Sequence, residues 1–131
     1  MSRSHIQIAN IMTVGSNLSK VKLCSTCNIY RPPRAHHCSE CGVCIERMDH
    51  HCPWLGVCIG KYNYKYFYAF LVSLLAAIVV TIAMCIFIMA EDSRVYPLAI
   101  ILVLLCFPAF LFVGFMLSFH TYISCTNLTT K

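Results

Sequence analysis

An acid, two histidines and a thiol stand in a row at Asp49-His50-His51-Cys52. A thiol beside an imidazole and a carboxylate has the makings of an activated nucleophile. The imidazole takes the thiol proton, and the carboxylate orients and supports the imidazolium. Pro53 pushes Cys52 into an extended backbone, and in an extended run residues i and i+2 share a face. His50 and Cys52 then address one reaction space, with His51 turned the other way toward a metal. The competing reading is that all four residues are structural and Cys52 is a spare ligand.

The flanking sequence supplies the metal ligands. Seven of the ten cysteines and four of the six histidines fall between Cys24 and Cys58. Cys24-x2-Cys27 and Cys38-x2-Cys41-x2-Cys44 have the spacing of zinc knuckles, and the near-repeat of CSTC at 24–27 and CSEC at 38–41 points to two similar ones. Two four-ligand zinc sites need eight donors. Cys24, Cys27, Cys38, Cys41, Cys44 and Cys58 offer six, and His37 and His51 complete the set. Spacing does not say which ligand serves which zinc. Asp49, His50, Cys52 and His36 remain unassigned, His36 as a bystander. A disulfide lattice is the alternative to metal, and the compartment decides between them.

The elements that must position this stretch follow from composition. The chain is 59% hydrophobic and 11% charged, well below the charge of a typical soluble domain. Residues 67–90 and 95–119 carry no charged side chain, and each block exceeds the ~20 residues a spanning helix needs. Eight of the ten Lys and Arg residues lie before residue 66, and Lys131 is near the other end. By the positive-inside rule both flanks are cytosolic and the short loop is on the far side. Cytosolic thiols stay reduced, which favours metal. The basic balance suits an anionic membrane face. No basic helix or aromatic platform points to nucleic acid.

The predicted organisation is a lead-in over 1–23, with weak periodicity at Ile6, Ile8, Ile11, Met12 and Val14 for a short interfacial helix. A zinc-stapled cysteine-rich domain of short strands and loops follows over 24–66. Transmembrane helices over 67–90 and 95–119 form an antiparallel hairpin across a 91–94 loop, and a tail covers 120–131. Val21-Lys22-Leu23 reads as a strand, and Arg31-Pro32-Pro33-Arg34 is extended. Tyr62, Tyr64, Tyr66, Phe67, Tyr68 and Phe70 form an aromatic girdle that holds the module at the bilayer. Pro97 suits a first helical turn, and Pro108 predicts a kink. Cys85 and Cys106 read as packing residues and Cys125 as a spare thiol.

Taken together, Cys24-x2-Cys27, Arg31-Pro32-x-Arg34, His37-Cys38-x2-Cys41-x2-Cys44, Asp49 to Cys52, Pro53-Trp54, Cys58-x-Gly60, Asn63 and Phe67 resemble the DHHC protein S-acyltransferases (palmitoyltransferases). The resemblance covers residues 24–67 and then both helices. It implies one structural zinc on Cys24, Cys27, His37 and Cys44 and another on Cys38, Cys41, His51 and Cys58. It implies Cys52 as nucleophile, His50 as base and Asp49 as its orienter. The implied reaction is ping-pong: Cys52 takes the acyl group of a long-chain acyl-CoA such as palmitoyl-CoA, then passes it to membrane-proximal cysteines of substrate proteins. A multi-pass membrane protein of the Golgi, ER or another endomembrane follows, with the cysteine-rich domain cytosolic. By the same analogy Thr129 and Thr130 lie near Asp49.

The sequence departs from the family in four ways, one being that a later C-terminal cytosolic motif is absent. Two helices before the cysteine-rich domain are missing. Val57 stands where the family has Asn. Thr129-Thr130-Lys131 stops one residue short of the TTxE motif. The expectation is a chain truncated at both ends. The competing function is an inactive, membrane-anchored zinc module acting as adaptor or partner.

Overall fold

The computed structural model of the chain describes residues 11–14, 17–91 and 93–130. They divide into two units. One runs through Tyr64 and takes in the chain again from Thr129; the other is Lys65–Leu128.

The first unit is built from two-stranded antiparallel hairpins. Strands β1 (Ile11–Val14) and β2 (Asn17–Lys20) pair in the lead-in. A strand thus replaces the interfacial helix expected over Ile11, Met12 and Val14, where a short apolar run cannot separate helix from strand by periodicity alone. Ile6 and Ile8 lie outside the described residues. Next come β3 (Lys22–Cys24) with β4 (Ile29–Arg31), β5 (His36–Cys38) with β6 (Val43–Ile45), and β7 (His50–Cys52) with β8 (Val57–Ile59).

These last three hairpins are one unit used three times at a 14-residue interval. Cys24, Cys38 and Cys52 each end a first strand and pair with Ile29, Val43 and Val57. Each turn closes with an N–H donating to a carbonyl four residues back: Asn28 to Cys24 at 2.8 Å, Gly42 to Cys38 at 2.9 Å, Gly56 to Cys52 at 2.9 Å. The closing residue has φ of 58°, 68° and 64° in turn, a conformation that Gly and Asn reach at little cost. Val57 therefore keeps the β-branched residue that opens the second strand in each copy. Three residues before each cysteine a side chain is buried: Val21, Ala35 and Asp49.

The apolar core of this unit is small, with Cys38, Met48 and Cys58 packed against Ile45. A core of that size needs a staple. The third hairpin is fixed to the second at its exit. Gly60 lies so close to Ile45 that a Cβ would come within 2.8 Å of its Cγ2. The Asn63 amide donates to the Cys58 carbonyl and accepts from the Gly60 N–H, both at 2.8 Å. Lys61 pairs with Glu46, and Tyr62 donates to the same carboxylate at 3.1 Å.

The second unit is helical. Helix α1 spans Tyr64–Glu91 and α2 spans Tyr96–Cys125, with a 3-10 turn over Ser93–Val95 between them. At 28 and 30 residues, with mean hydropathy of 3.0 and 2.9, both are long and apolar enough to cross a membrane. Helix α1 reaches beyond the expected 67–90 at both ends and α2 beyond the expected end at 119, because aromatic and polar residues there continue the backbone pattern past the apolar block. Pro97 sits in the first turn of α2, and the helix continues through Pro108. Tyr68 and Thr121 share a hydroxyl hydrogen bond of 2.9 Å, and Phe67 meets His120 edge-on at 4.9 Å, so the start of α1 lies beside the end of α2. Most large apolar side chains of both helices face outward, as lipid-facing residues do.

Candidate functional site

Strand register decides where the ligands go. His37 pairs with Cys44 and His51 with Cys58, so each pair projects from one face of its hairpin. The turn of the preceding hairpin supplies the other two donors. Cys24, Cys27, His37 and Cys44 converge in one group and Cys38, Cys41, His51 and Cys58 in another, with ligand atoms within 4.8 Å of one another. These are the two sets into which the resemblance divides the eight ligands.

The distances fit a metal ion better than thiol hydrogen bonds. His37 Nδ1 is 3.2 Å from Cys27 Sγ and 3.9 Å from Cys44 Sγ. His51 Nδ1 is 3.4, 3.5 and 3.6 Å from the sulfurs of Cys41, Cys58 and Cys38, and Cys41 lies 3.4 Å from Cys58. Tetrahedral zinc with bonds of 2.0–2.3 Å sets its ligand atoms about 3.5–3.8 Å apart. The electrostatics agree. The backbone N–H of Cys41 draws the Cys38 thiol down to about 7, and that of Cys27 lowers Cys24. Burial, then the neighbouring sulfurs, pushes Cys44 and Cys58 up to about 12. Three thiolates crowd each site, and a divalent cation is what lets all three ionise together. Each group presents four protein ligands, the number of a closed structural zinc site.

The other face of β7 carries different chemistry. His51 points to the metal group, so the pleat turns His50 and Cys52 the opposite way. His50 Nδ1 lies 2.7 Å from Asp49 Oδ2, and Asp49 is 1% exposed. The second carboxylate oxygen accepts the Thr130 N–H at 3.0 Å, and the Thr130 hydroxyl donates to the Asp49 carbonyl. Asp49 is thereby held from both sides, with an imidazole on one oxygen and the chain's tail on the other. Cys52 is buried at the end of the strand.

Residues 17–131 match the family model for the DHHC palmitoyltransferases. The chain belongs to the DHHC family. Among the curated DHHC relatives, Palmitoyltransferase ZDHHC9 of Homo sapiens is 41% identical over 127 residues, covering 90% of this chain and 35% of that protein. Protein S-acyltransferase 8 of Arabidopsis thaliana is 43% identical over 130 residues, covering 85% and 30%. Palmitoyltransferase ZDHHC18 of Homo sapiens is 38% identical over 127 residues, covering 90% and 33%. The chain spans about a third of the length of these relatives.

Sequence reading missed several features of this DHHC module. The second and third hairpins repeat in sequence, as His36-His37-Cys38 with Gly42-Val43-Cys44-Ile45 and His50-His51-Cys52 with Gly56-Val57-Cys58-Ile59, a signal the reading passed over; the first shares only Cys24 with both, and its membership became visible in the backbone. Arg31, Lys22, Arg34 and His36 line a concavity of about 230 Å³ with Val21, Pro32, Pro33 and Ala35. The Arg31 Nε is buried there without a hydrogen-bond partner. His36, read as a bystander, belongs to this basic wall. In the helical unit His120 is 1% exposed and also lies edge-on to Phe119; a histidine directly after the charge-free apolar block was its sequence signal.

Proposed function

We propose that the chain is the catalytic segment of a protein S-acyltransferase, with Cys52 as nucleophile, His50 as base and Asp49 as the group that orients it. The observation that carries this reading is the 2.7 Å bond from a buried carboxylate to His50, two residues before Cys52 on the same strand. Asp49 on Nδ1 leaves Nε2 of His50 as the proton acceptor. In the first half-reaction His50 takes the Cys52 proton. The sulfur bonds to the thioester carbonyl carbon, and the adduct expels coenzyme A, whose thiolate receives that proton. In the second half-reaction a thiol of a substrate protein gives its proton to His50 and takes the acyl group, which frees Cys52.

The two zinc ions supply structure, since each site has four protein ligands and no open position. The basic concavity around Arg31 suits the phosphates of acyl-CoA. Long-chain acyl-CoA, palmitoyl-CoA among them, and proteins with membrane-proximal cysteines are the substrates this reading names. The Lys and Arg bias supports residues 24–66 and 120–131 on the cytosolic side, 91–94 on the far side and 67–90 and 95–119 inside the bilayer, and the family resemblance supports the Golgi, ER or another endomembrane.

The test is incubation of the membrane-embedded chain with alkyne-tagged palmitoyl-CoA, beside Cys52→Ser. The expected result is a hydroxylamine-labile label that needs Cys52. No label on a folded, zinc-loaded chain would leave the inactive zinc module instead.

A further inference from the structure

The three hairpins share strand register and turn closure, and the second and third also share a His–Cys pair. The first and second use their turn cysteines, Cys24 with Cys27 and Cys38 with Cys41, to reach the His–Cys pair of the hairpin that follows. The chain is thus a relay in which each metal joins the turn of one hairpin to the strands of the next. The third hairpin keeps the strand register, the turn closure and the positive φ at its end. It keeps the first turn cysteine as Cys52. Besides the turn residues Pro53 and Trp54, which stand where the earlier turns have Ser25 or Ser39 and Thr26 or Glu40, one buried position and one ligand position change. Asp49 replaces the buried apolar residue Val21 or Ala35, and Leu55 replaces the second turn cysteine, Cys27 or Cys41. Acyl transfer accounts for Asp49, through His50. It does not yet account for Leu55.

We propose that the third hairpin is a zinc knuckle whose metal position has become the position of the reacting acyl carbon, and that Leu55 is a substrate-contacting residue that receives the first carbons of the acyl chain. The proposal rests on the acyl-transfer reading for its substrate. Its geometric part stands on register alone. In a knuckle the two turn sulfurs point at one shared point, the metal. At the third turn one of those vectors belongs to the nucleophilic sulfur and the other to an apolar side chain, 43% exposed. A thioester presents an electrophilic carbon followed by hydrocarbon, which is the pattern such a pair would receive. The sulfur bonds to the carbonyl carbon as coenzyme A leaves, and the adjoining methylenes lie on Leu55. A second cysteine here would instead capture a metal and occupy the nucleophile.

The experiment restores the missing ligand. Leu55→Cys is prepared as the full chain in detergent under reductant and given cadmium, and total bound zinc plus cadmium is counted per chain. The expected result is one ion more than in the unsubstituted chain, lost again when Cys52→Ser is added. Trp54→Cys, one residue away on the same turn, should gain none. An unchanged count in a Leu55→Cys chain that keeps its two native ions overturns the knuckle geometry. So does an equal gain in Trp54→Cys. No acylation enters this readout, so a failure of Cys52 to acylate would leave it untouched. A second arm reads the substrate contact. Leu55→Ser should slow labelling by palmitoyl-CoA about tenfold more than labelling by acetyl-CoA, with iodoacetamide capture of Cys52 unchanged. Equal slowing for both chain lengths overturns the acyl contact.

Discussion

The second and third hairpins have one backbone and two occupations. In the second, Cys38 lies against Cys41, and both reach the metal group with His51 and Cys58. In the third, Cys52 occupies the place of Cys38, yet its turn partner is Leu55 and its strand is entered through Asp49 and His50. Saturating a sulfur with metal makes a staple. The third hairpin loses one companion ligand and gains an acid, Asp49 in place of Ala35, beside a histidine that both hairpins carry (His36 and His50); in the proposed reading this leaves the same sulfur open to react. On the proposed reading, reactivity comes from substitutions on a shared frame, with no new fold required.

The sharpest way to break this comparison is to exchange the fates of the two cysteines. Cys38→Ser should release a zinc and unfold the module, because a structural zinc contributes about 10–16 kcal/mol to folding in small zinc domains. Cys52→Ser should keep two zincs and the fold while abolishing the label. Zinc content and limited proteolysis of the two variants decide it, and a strong chelator should reproduce the first. Equal damage from both would erase the distinction.

Smaller changes sharpen the third hairpin alone. His50→Ala should cut acyl-enzyme formation by about 10²–10⁴-fold, and Asp49→Asn by about 10–100-fold through loss of a charge-assisted hydrogen bond. Both should leave zinc content as it was. Single-turnover labelling beside metal analysis measures this. Gly60→Ala tests the packing between the two hairpins. The new methyl meets Ile45 and the Glu46 carbonyl, and overpacking of this kind costs about 1–3 kcal/mol. A lower Tm with both zincs retained is expected.

The Glu46–Lys61 pair should give the smallest effect. Lys61, then Tyr62, holds the Glu46 carboxyl below its usual range, and Glu46 raises Lys61. A depressed carboxyl contributes its stability in full above the ordinary value of about 4.3, and that contribution fades as pH falls through the lowered folded value. The raised lysine contributes below its own ordinary value and fades as pH rises through the folded one. Neutral pH lies inside both windows. The Tm difference between the unsubstituted chain and Glu46→Gln should therefore be present at pH 7 and shrink at pH 4. Salt should reduce it too, since the pair is partly exposed.

Much of the site was legible because its chemistry lies in residue types at short spacings. The knuckle cysteines, His37 and His51, and the Asp49–Cys52 run need only local backbone to be recognised. The alternation that sends His51 to the metal face and His50 to the other follows from a strand's period of two. The two apolar helices were legible from composition. The lead-in was not, because Ile11, Met12 and Val14 fit either period in so short a run. Nor was the basic wall around Arg31, since its residues come from both sides of a hairpin.

By itself, then, the sequence determined the ligand inventory, the Asp49–Cys52 run and two membrane-length helices, all of which depend on nearest neighbours and bulk hydrophobicity. Only the tertiary structure decided which four ligands meet, that Thr130 closes the far side of Asp49, and that the first hairpin shares the frame of the other two. Those facts depend on strand register and on contacts between residues up to 81 positions apart. No local pattern encodes such pairings; the chain specifies them only when the hairpins close and the metal groups draw them together.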